Sequence, residues 1–263
     1  MGTENVIKSV NYSQHAILRD IMNLHNNGKP FEADMTYSIG NFYGKFNEKK
    51  ITRNDDGTIT ETIEEFEIPQ PKLKFDVMPQ IEGVEKIDPW GPWPLEDSSI
   101  ESLVLDPPFV VGSMAAPSMS DGKTDTNMIA KRFASFYPRY ELFDTYEHLI
   151  REAYRVLKPM GILVFKTQST VSGSIQLMTP YFTCMVADNV GFYTLDEFVL
   201  IAKARLISGK VKNQQHARKF HSYFYVFQKD NPKKEKIGYW KRDYVRDADR
   251  VKSLLEKKEE ENK

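Results

Sequence analysis

Apolar positions in the first hundred residues come in short groups with changing period. Ile17, Leu18, Ile21 and Leu24 recur at helical spacing behind Ser13, a residue type that caps helix starts, and Asn26-Asn27-Gly28 supplies a stop. Phe31 to Met35 reads as a short strand that runs into a glycine-bearing turn, Thr36-Tyr37-Ser38-Ile39-Gly40-Asn41-Phe42-Tyr43-Gly44. From Lys45 to Pro71, Ile51, Thr58-Ile59-Thr60 and Ile63 alternate around Asn54-Asp55-Asp56-Gly57, the pattern of a β-hairpin or an ordered excursion from the main sheet. Lys72 to Val77 and Val84 to Asp88 read as further short strands. Ile100 to Leu105 is an apolar run broken only by Glu101 and Ser102, as in a strand covered on both faces, and Asp106-Pro107-Pro108 ends it.

The second half alternates helices and strands. Val110 to Tyr137 mixes small residues, methionines and polar residues without a period, which predicts a mobile loop holding at most a short helix. Leu142, Tyr146, Leu149, Ile150, Ala153 and Leu157 line one face of a helix from Tyr140 to Leu157, closed by Lys158-Pro159-Met160-Gly161. Gly161 to Lys166 reads as a strand, and Ser174 to Asn189 as a helix stopped at Gly191. Thr194 to Leu206 and Phe220 to Phe227 read as an antiparallel hairpin on the sheet edge, joined by a basic loop. From Lys233 onward the chain is rich in Lys and Glu, a frayed helix or solvated extension, and no internal repeat occurs.

This alternation predicts an α/β fold, an open sheet with helices on both faces, carrying an antiparallel C-terminal β-hairpin and a β-hairpin insertion. The expected organisation is one domain over residues 1–230, with the insertion at 44–72 and the mobile loop at 110–138, then a charged tail or helix over 231–263. Open sheets of this kind bind ligands at the carboxyl ends of their strands. Asp34, Asp76, Asp88 and Asp106 all fall at or just after predicted strand ends, which points to a single site.

Composition narrows the picture. With 36 Lys and Arg against 37 Asp and Glu, the 263-residue chain has a formal charge of −1, so any nucleic-acid surface has to be a local patch. Cys184 is the single cysteine, which excludes an internal disulfide or a cysteine metal cluster and fits a reducing compartment. His216 and His221 have no matching Cys or acidic ligand pattern, so no metal site is expected. The first twenty residues lack an apolar core and no membrane-length apolar run occurs, which predicts a cytoplasmic protein with no membrane partner.

Asp106-Pro107-Pro108-Phe109 carries the chemistry. The amino group of a nucleobase is a weak nucleophile because its nitrogen lone pair is delocalised into the ring. Asp106 and the backbone carbonyl of Pro107 can each accept a hydrogen bond from such a group, favouring a pyramidal nitrogen whose lone pair points at a methyl donor. The rigid prolines hold the acceptors in place, and Phe109 can stack on the base. Transfer would then be an in-line displacement achieved by positioning, with no covalent enzyme intermediate.

The run Leu103-Val104-Leu105-Asp106-Pro107-Pro108-Phe109 resembles the catalytic motif of the S-adenosylmethionine (SAM)-dependent DNA amino-methyltransferases, which act on adenine N6 or cytosine N4. Some RNA guanine and adenine methyltransferases carry similar tetrapeptides. Upstream, Asp34-Met35-Thr36-Tyr37-Ser38-Ile39-Gly40-Asn41-Phe42-Tyr43 is similar to the first SAM-binding motif of a subgroup common in phages, with Ser38 where many relatives have glycine. Pro94-Leu95-Glu96-Asp97-Ser98-Ser99-Ile100-Glu101 and the passage from Tyr154-Arg155-Val156-Leu157-Lys158-Pro159 to Leu163 are similar to other stretches of the superfamily, so the resemblance spans roughly residues 11–228 and is strongest over 94–166. It implies the class I SAM-methyltransferase, Rossmann-like fold with SAM as cofactor. Asp34, Thr36, Tyr37, Ser38 and Gly40 would then meet the methionine moiety, Asp34 facing its ammonium group and Asp76 the ribose hydroxyls. Asp88 would receive the adenine amino group, with Trp90 or Trp93 packed nearby.

The basic loop from Ala204 to Tyr223 would neutralise phosphates through Lys210, Lys212, Arg218 and Lys219, with Gln214, Gln215 and His216 beside them and Asn213, Gln214 and Gln215 in reach of base edges. A duplex base would have to be flipped out, with 110–137 as the natural lid. DNA is the expected partner and RNA the alternative, in the cytoplasm of a prokaryote or a phage-infected host. Sequence recognition is short, or depends on a partner subunit or a homodimer. A catalytically idle SAM-fold subunit is the remaining alternative.

Overall fold

The computed structural model describes residues 6–53, 56–111, 135–136, 139–202 and 215–236. Strand β1 (Val10–Asn11) and helix α1 (Gln14–His25) precede β2 (Ala33–Asp34), the hairpin strands β3 (Gly44–Arg53) and β4 (Ile59–Ile68), and then β5 (Leu73–Asp76), β6 (Glu85–Lys86) and β7 (Ile100–Leu105). Short strands β8 (Val110–Val111) and β9 (Ser135–Phe136) pair with each other ahead of α2 (Arg139–Val156) and β10 (Leu157–Thr167). The hairpin β11 (Thr170–Ser172) and β12 (Ile175–Leu177), helix α3 (Thr179–Val190), β13 (Phe192–Ile201), β14 (His221–Lys229) and α4 (Lys233–Lys236) complete the chain.

Eight strands join in the order β1-β13-β14-β10-β7-β2-β5-β6, and β14 alone runs against the rest. This is the open Rossmann-like sheet the sequence pattern predicts. Alternation along the inner strands divides the core in two: Leu103, Leu105, Leu163 and Phe165 face α2 and α3, whereas Val104, Ile162 and Val164 face α1. The apolar stripe of α2 (Leu142, Tyr146, Leu149, Ile150 and Ala153) is buried against the first face. Ser13 caps α1 by accepting from the Ala16 amide at 3.3 Å, and Gly28 closes its far end with an amide bond of 3.0 Å to the Met22 carbonyl. Leu24, in its last turn, is 50% exposed and so lies off the buried stripe.

Three expectations are corrected. Residues 174–177 belong to a hairpin rather than to a helix: Gly173 and Ser174 have φ of 53° and 61°, both left-handed, as a two-residue hairpin turn requires. Helix α3 starts only at Thr179, with Pro180 in its first turn, where a missing amide costs nothing. The strand expected over 161–166 runs from 157 to 167, its register slipping between Leu157 and Ile162 at the Lys158-Pro159-Met160-Gly161 passage. The β13–β14 pair is not at the edge. Phe224, Tyr225, Val226 and Phe227 are buried on both faces, which suits an inner strand, and β14 lies between β10 and β13, with β1 outermost.

Hairpin β3–β4 stands outside this sheet as the expected insertion and docks on α1. There Arg19 reaches Glu48 at 2.7 Å and lies over the Phe66 ring, and His15 stacks on Phe46 with ring centres 3.5 Å apart. Among the described residues no helix is long and apolar enough to cross a membrane.

Candidate active site at the carboxyl ends of the strands

From β2 the chain builds outward through β5 and β6, then returns to place β7 and β10 on the other side of β2. The order therefore reverses between β2 and β7, and such a switch point opens a crevice at the carboxyl ends of the two strands. Asp34 ends β2 and Asp106 follows β7. The Asp34 carboxylate is 1% exposed. Its Oδ1 accepts from the Thr36 amide (2.8 Å) and hydroxyl (3.2 Å), and its Oδ2 from the Tyr43 hydroxyl (2.7 Å). The Thr36 hydroxyl in turn accepts from the Asp106 amide at 2.7 Å, so one side chain ties the two strand ends together. Burial outweighs these donated bonds and pushes the Asp34 carboxyl up to about 7, the Asp106 charge adding to the effect. Burial, followed by the Asp34 charge, likewise raises the Tyr43 phenol well above its ordinary range.

The turn after β2 is held from outside by Asp76. Its Oδ2 accepts from the Ser38 amide at 2.8 Å and its Oδ1 from the Met78 amide at 2.7 Å, while burial raises its carboxyl despite them. Each oxygen keeps an acceptor site beyond its backbone bond. Ser38 and Gly40 have φ of 52° and 74°. At Gly40 a Cβ would lie 2.4 Å from the Tyr37 hydroxyl, so the turn is closed over Tyr37, whose ring stacks on Tyr43 and whose hydroxyl bonds to Gln70. Asp88 is exposed and accepts from the Trp90 amide at 2.9 Å. The indoles there part company: Trp93 is buried in the α2 core, whereas Trp90 is 43% exposed beside His148.

Asp106 and Phe109 are partly exposed, Pro107 is buried, and the Pro108 carbonyl accepts from the buried Tyr146 hydroxyl at 3.1 Å. Burial first, and the Asp106 charge after it, push the Tyr146 phenol above its ordinary range, which keeps it a donor. Lys166 brings its ammonium to 2.9 Å from Asp106 Oδ2. Sequence reading missed Lys166, Tyr43 and Tyr146. The signal for Lys166 is register: Phe165 lies opposite Leu105 in the parallel β10–β7 pair, so the next residues are Lys166 and Asp106, on the same face.

Of the basic loop, Lys210, Lys212 and Gln214 lie outside the described residues. Gln215, His216, Arg218 and Lys219 lie inside. Because β14 runs backward, the loop leaves and re-enters the sheet at the same end as Asp106. Gln215 accepts from the Ser174 hydroxyl at 3.0 Å, a ring nitrogen of His216 bonds the Ser174 carbonyl, and the Lys219 carbonyl accepts from Gln168 at 3.2 Å. The β11–β12 turn thus holds the described end of the loop at Gln215 and His216. Of the expected lid, 110–137, residues 112–134 and 137 also lie outside the described residues. A cleft of about 480 Å³ lined by Lys29, Lys72, Glu101 and Lys158 sits at the opposite, amino ends of the strands and takes no part in this arrangement. Among the described residues no group of three or more His, Cys, Asp or Glu side chains is arranged to hold a metal ion.

No family model and no curated protein matches the chain. Among solved structures it is similar to the PvuII DNA methyltransferase, cytosine-N4-specific, with 18% identity and a TM-score of 0.36 over 51% of this chain and 44% of that one. A Thermus thermophilus protein described as a DNA modification methylase, complexed with S-adenosyl-L-methionine, shares 17% identity at a TM-score of 0.32 over 52% of this chain and 51% of that one. The [4+2]-cyclase SpnF shares 12% identity at a TM-score of 0.41 over 85% of each chain. The chain spans about half of the length of the two methylases.

Proposed function

We propose that the chain transfers a methyl group from SAM to the exocyclic amino group of a base in DNA, adenine N6 or cytosine N4, with the base flipped into a pocket at Asp106-Pro107-Pro108-Phe109. The observation that carries this reading is the bridge across the switch point, where the Thr36 hydroxyl bonds both Asp34 and the Asp106 amide. It couples the turn suited to a cofactor to the acceptor suited to an amino group.

The donor set fits SAM. Asp76 keeps two acceptor sites for a vicinal diol. Asp34 has spent three of its roughly four acceptor sites, so an ammonium group would reach its Oδ2 as the Tyr43 hydroxyl turns aside, leaving the Thr36 bridge intact. Bound SAM would supply an electrophilic methyl on its sulfonium. Asp106 accepts a hydrogen bond from the base amino group and draws its nitrogen toward pyramidal geometry. The Tyr146 hydroxyl fixes the second proline through its carbonyl. The amino nitrogen would bond the methyl carbon as the carbon–sulfur bond breaks, the sulfonium leaving as a neutral thioether, and the extra proton on the then-cationic nitrogen would pass to solvent. Phe109 covers the base ring. Phosphate contacts fall to Lys210, Lys212, Arg218 and Lys219, with Gln214, Gln215 and His216 beside them.

Transfer of labelled methyl from SAM to unmethylated DNA and to total RNA tests the reading, with wild type compared to Asp106→Ala. Label in DNA that vanishes in the variant is the expected result. Label confined to RNA transfers the substrate to RNA, and no label in either polymer despite bound SAM overturns the reading.

A further inference from the structure

We infer that Lys166 is a positioning residue for methyl transfer, clamping one oxygen of Asp106 so that the other is presented to the amino group. This rests on the reading of Asp106 as the amino-group acceptor.

The clamp on Asp106 draws on β10, α1, β14 and the turn after β2. Lys166 ends the apolar run of β10, and its side chain is 12% exposed, unusual for a lysine. Its ammonium lies 2.9 Å from Asp106 Oδ2 and 3.3 Å from Gln14 Oε1 at the start of α1. The ammonium also lies over the rings of Phe42 and Phe224, whose centres are 5.0 and 5.5 Å away. A flexible four-carbon stem is thereby held to one position by a hydrogen bond, an ion pair and two aromatic faces. The His15 imidazole, its pKa lowered first by burial and also by the Lys166 charge, bonds the Asn41 carbonyl at 2.8 Å and stacks on Phe46.

The consequence is geometric. A carboxylate with both oxygens free can turn about its terminal torsion, which is broad. With Oδ2 anchored, and the Asp106 amide held by Thr36, the plane of the carboxylate is fixed at both its backbone and its far side. Among the described residues nothing donates to Oδ1, which is left to receive the substrate. Catalysis by positioning is sensitive to small misplacement of such an acceptor, whereas ground-state binding of cofactor at Asp34 and Asp76 is not.

The test is single-turnover transfer of labelled methyl to unmethylated DNA by wild type, Lys166→Met and Lys166→Arg, with SAM affinity measured by calorimetry on each. Lys166→Met is expected to slow transfer about a hundredfold while SAM affinity changes less than about threefold, and Lys166→Arg to recover about a tenth of the rate or more. A wild-type rate in Lys166→Met overturns the inference, as does a rate loss matched by an equal loss of SAM affinity, which would make Lys166 a cofactor or folding residue. If Lys166→Met does not fold, Lys166→Gln is read by the same criteria. A wild-type chain that binds SAM yet methylates no nucleic acid refutes the function itself, a result distinct from a Lys166 variant that matches an active wild type.

Discussion

Asp34 gives the most quantitative prediction. Its carboxyl is raised from 3.8 to about 7 in the folded chain because burial outweighs the bonds from Thr36 and Tyr43. The unfolded chain releases this proton near 3.8 and the folded chain near 7, so folding takes up a proton between those limits. Stability from this group is therefore complete at low pH, falls as pH rises through the window, and levels off above about 7. The full swing is about 4 kcal/mol at about 1.4 kcal/mol per pK unit, of which about 2.5 kcal/mol falls between about pH 5 and pH 8. In Asp34→Asn the amide does not titrate. It gives up the acceptor for the Tyr43 hydroxyl, a cost of about 1 kcal/mol that is nearly independent of pH. Urea unfolding of both proteins at several pH values, followed by circular dichroism, measures the difference directly. Wild type should lose its advantage over the variant steadily toward neutral pH, and parallel stability curves would refute the buried, proton-binding Asp34.

Two further outcomes follow from the turn after β2. Gly40→Ala forces a Cβ into the Tyr37 ring at a left-handed φ of 74°, and should lower stability by about 2 to 4 kcal/mol in urea unfolding while disturbing the Tyr37–Tyr43 stack. Asp76→Ala leaves the Ser38 and Met78 amides without their acceptor and removes the proposed diol contact. Calorimetry should show SAM affinity lowered about tenfold to a hundredfold, with about 1 to 3 kcal/mol lost from stability.

What the sequence makes legible here is local. The limits of β7 follow from six residues and two prolines, α1 from period and cap, and α2 from period, because each signal lies within or beside the element itself. Strand-end aspartates are legible for the same reason. The two-residue β1 has no room for a period, and its place beside β13 is set by a partner almost two hundred residues away. The β11–β12 hairpin hides inside a helical pattern because its turn depends on Ser174 adopting a left-handed φ, which serine does rarely. Sheet order is the larger gap. Nothing in the run Gly161 to Lys166 says that β7 lies beside it, so Lys166 reads as the end of a strand until the register brings it to Asp106. Tyr43 is similar: nine residues beyond Asp34, it meets the carboxylate only because the turn between them folds back.

The charges at the switch point also bear on which ligand it accepts. Asp34 is raised because it is buried and because Asp106 adds a negative charge beside it. A cation arriving there would favour the ionised carboxylate and displace its proton. Below about pH 7, binding of SAM, which carries both an ammonium and a sulfonium group, should therefore release close to one proton. Its affinity should rise about tenfold for each pH unit toward neutrality. Calorimetry at about pH 6 in two buffers of different ionisation enthalpy reads the proton count directly. Asp34→Asn, with nothing to titrate at this position, should bind SAM with little pH dependence over the same range. Wild-type binding that is equally tight and proton-neutral from about pH 5.5 to 7 would show that the cofactor never meets Asp34. The buried carboxylate would then serve only to hold Thr36, and through it Asp106, in place.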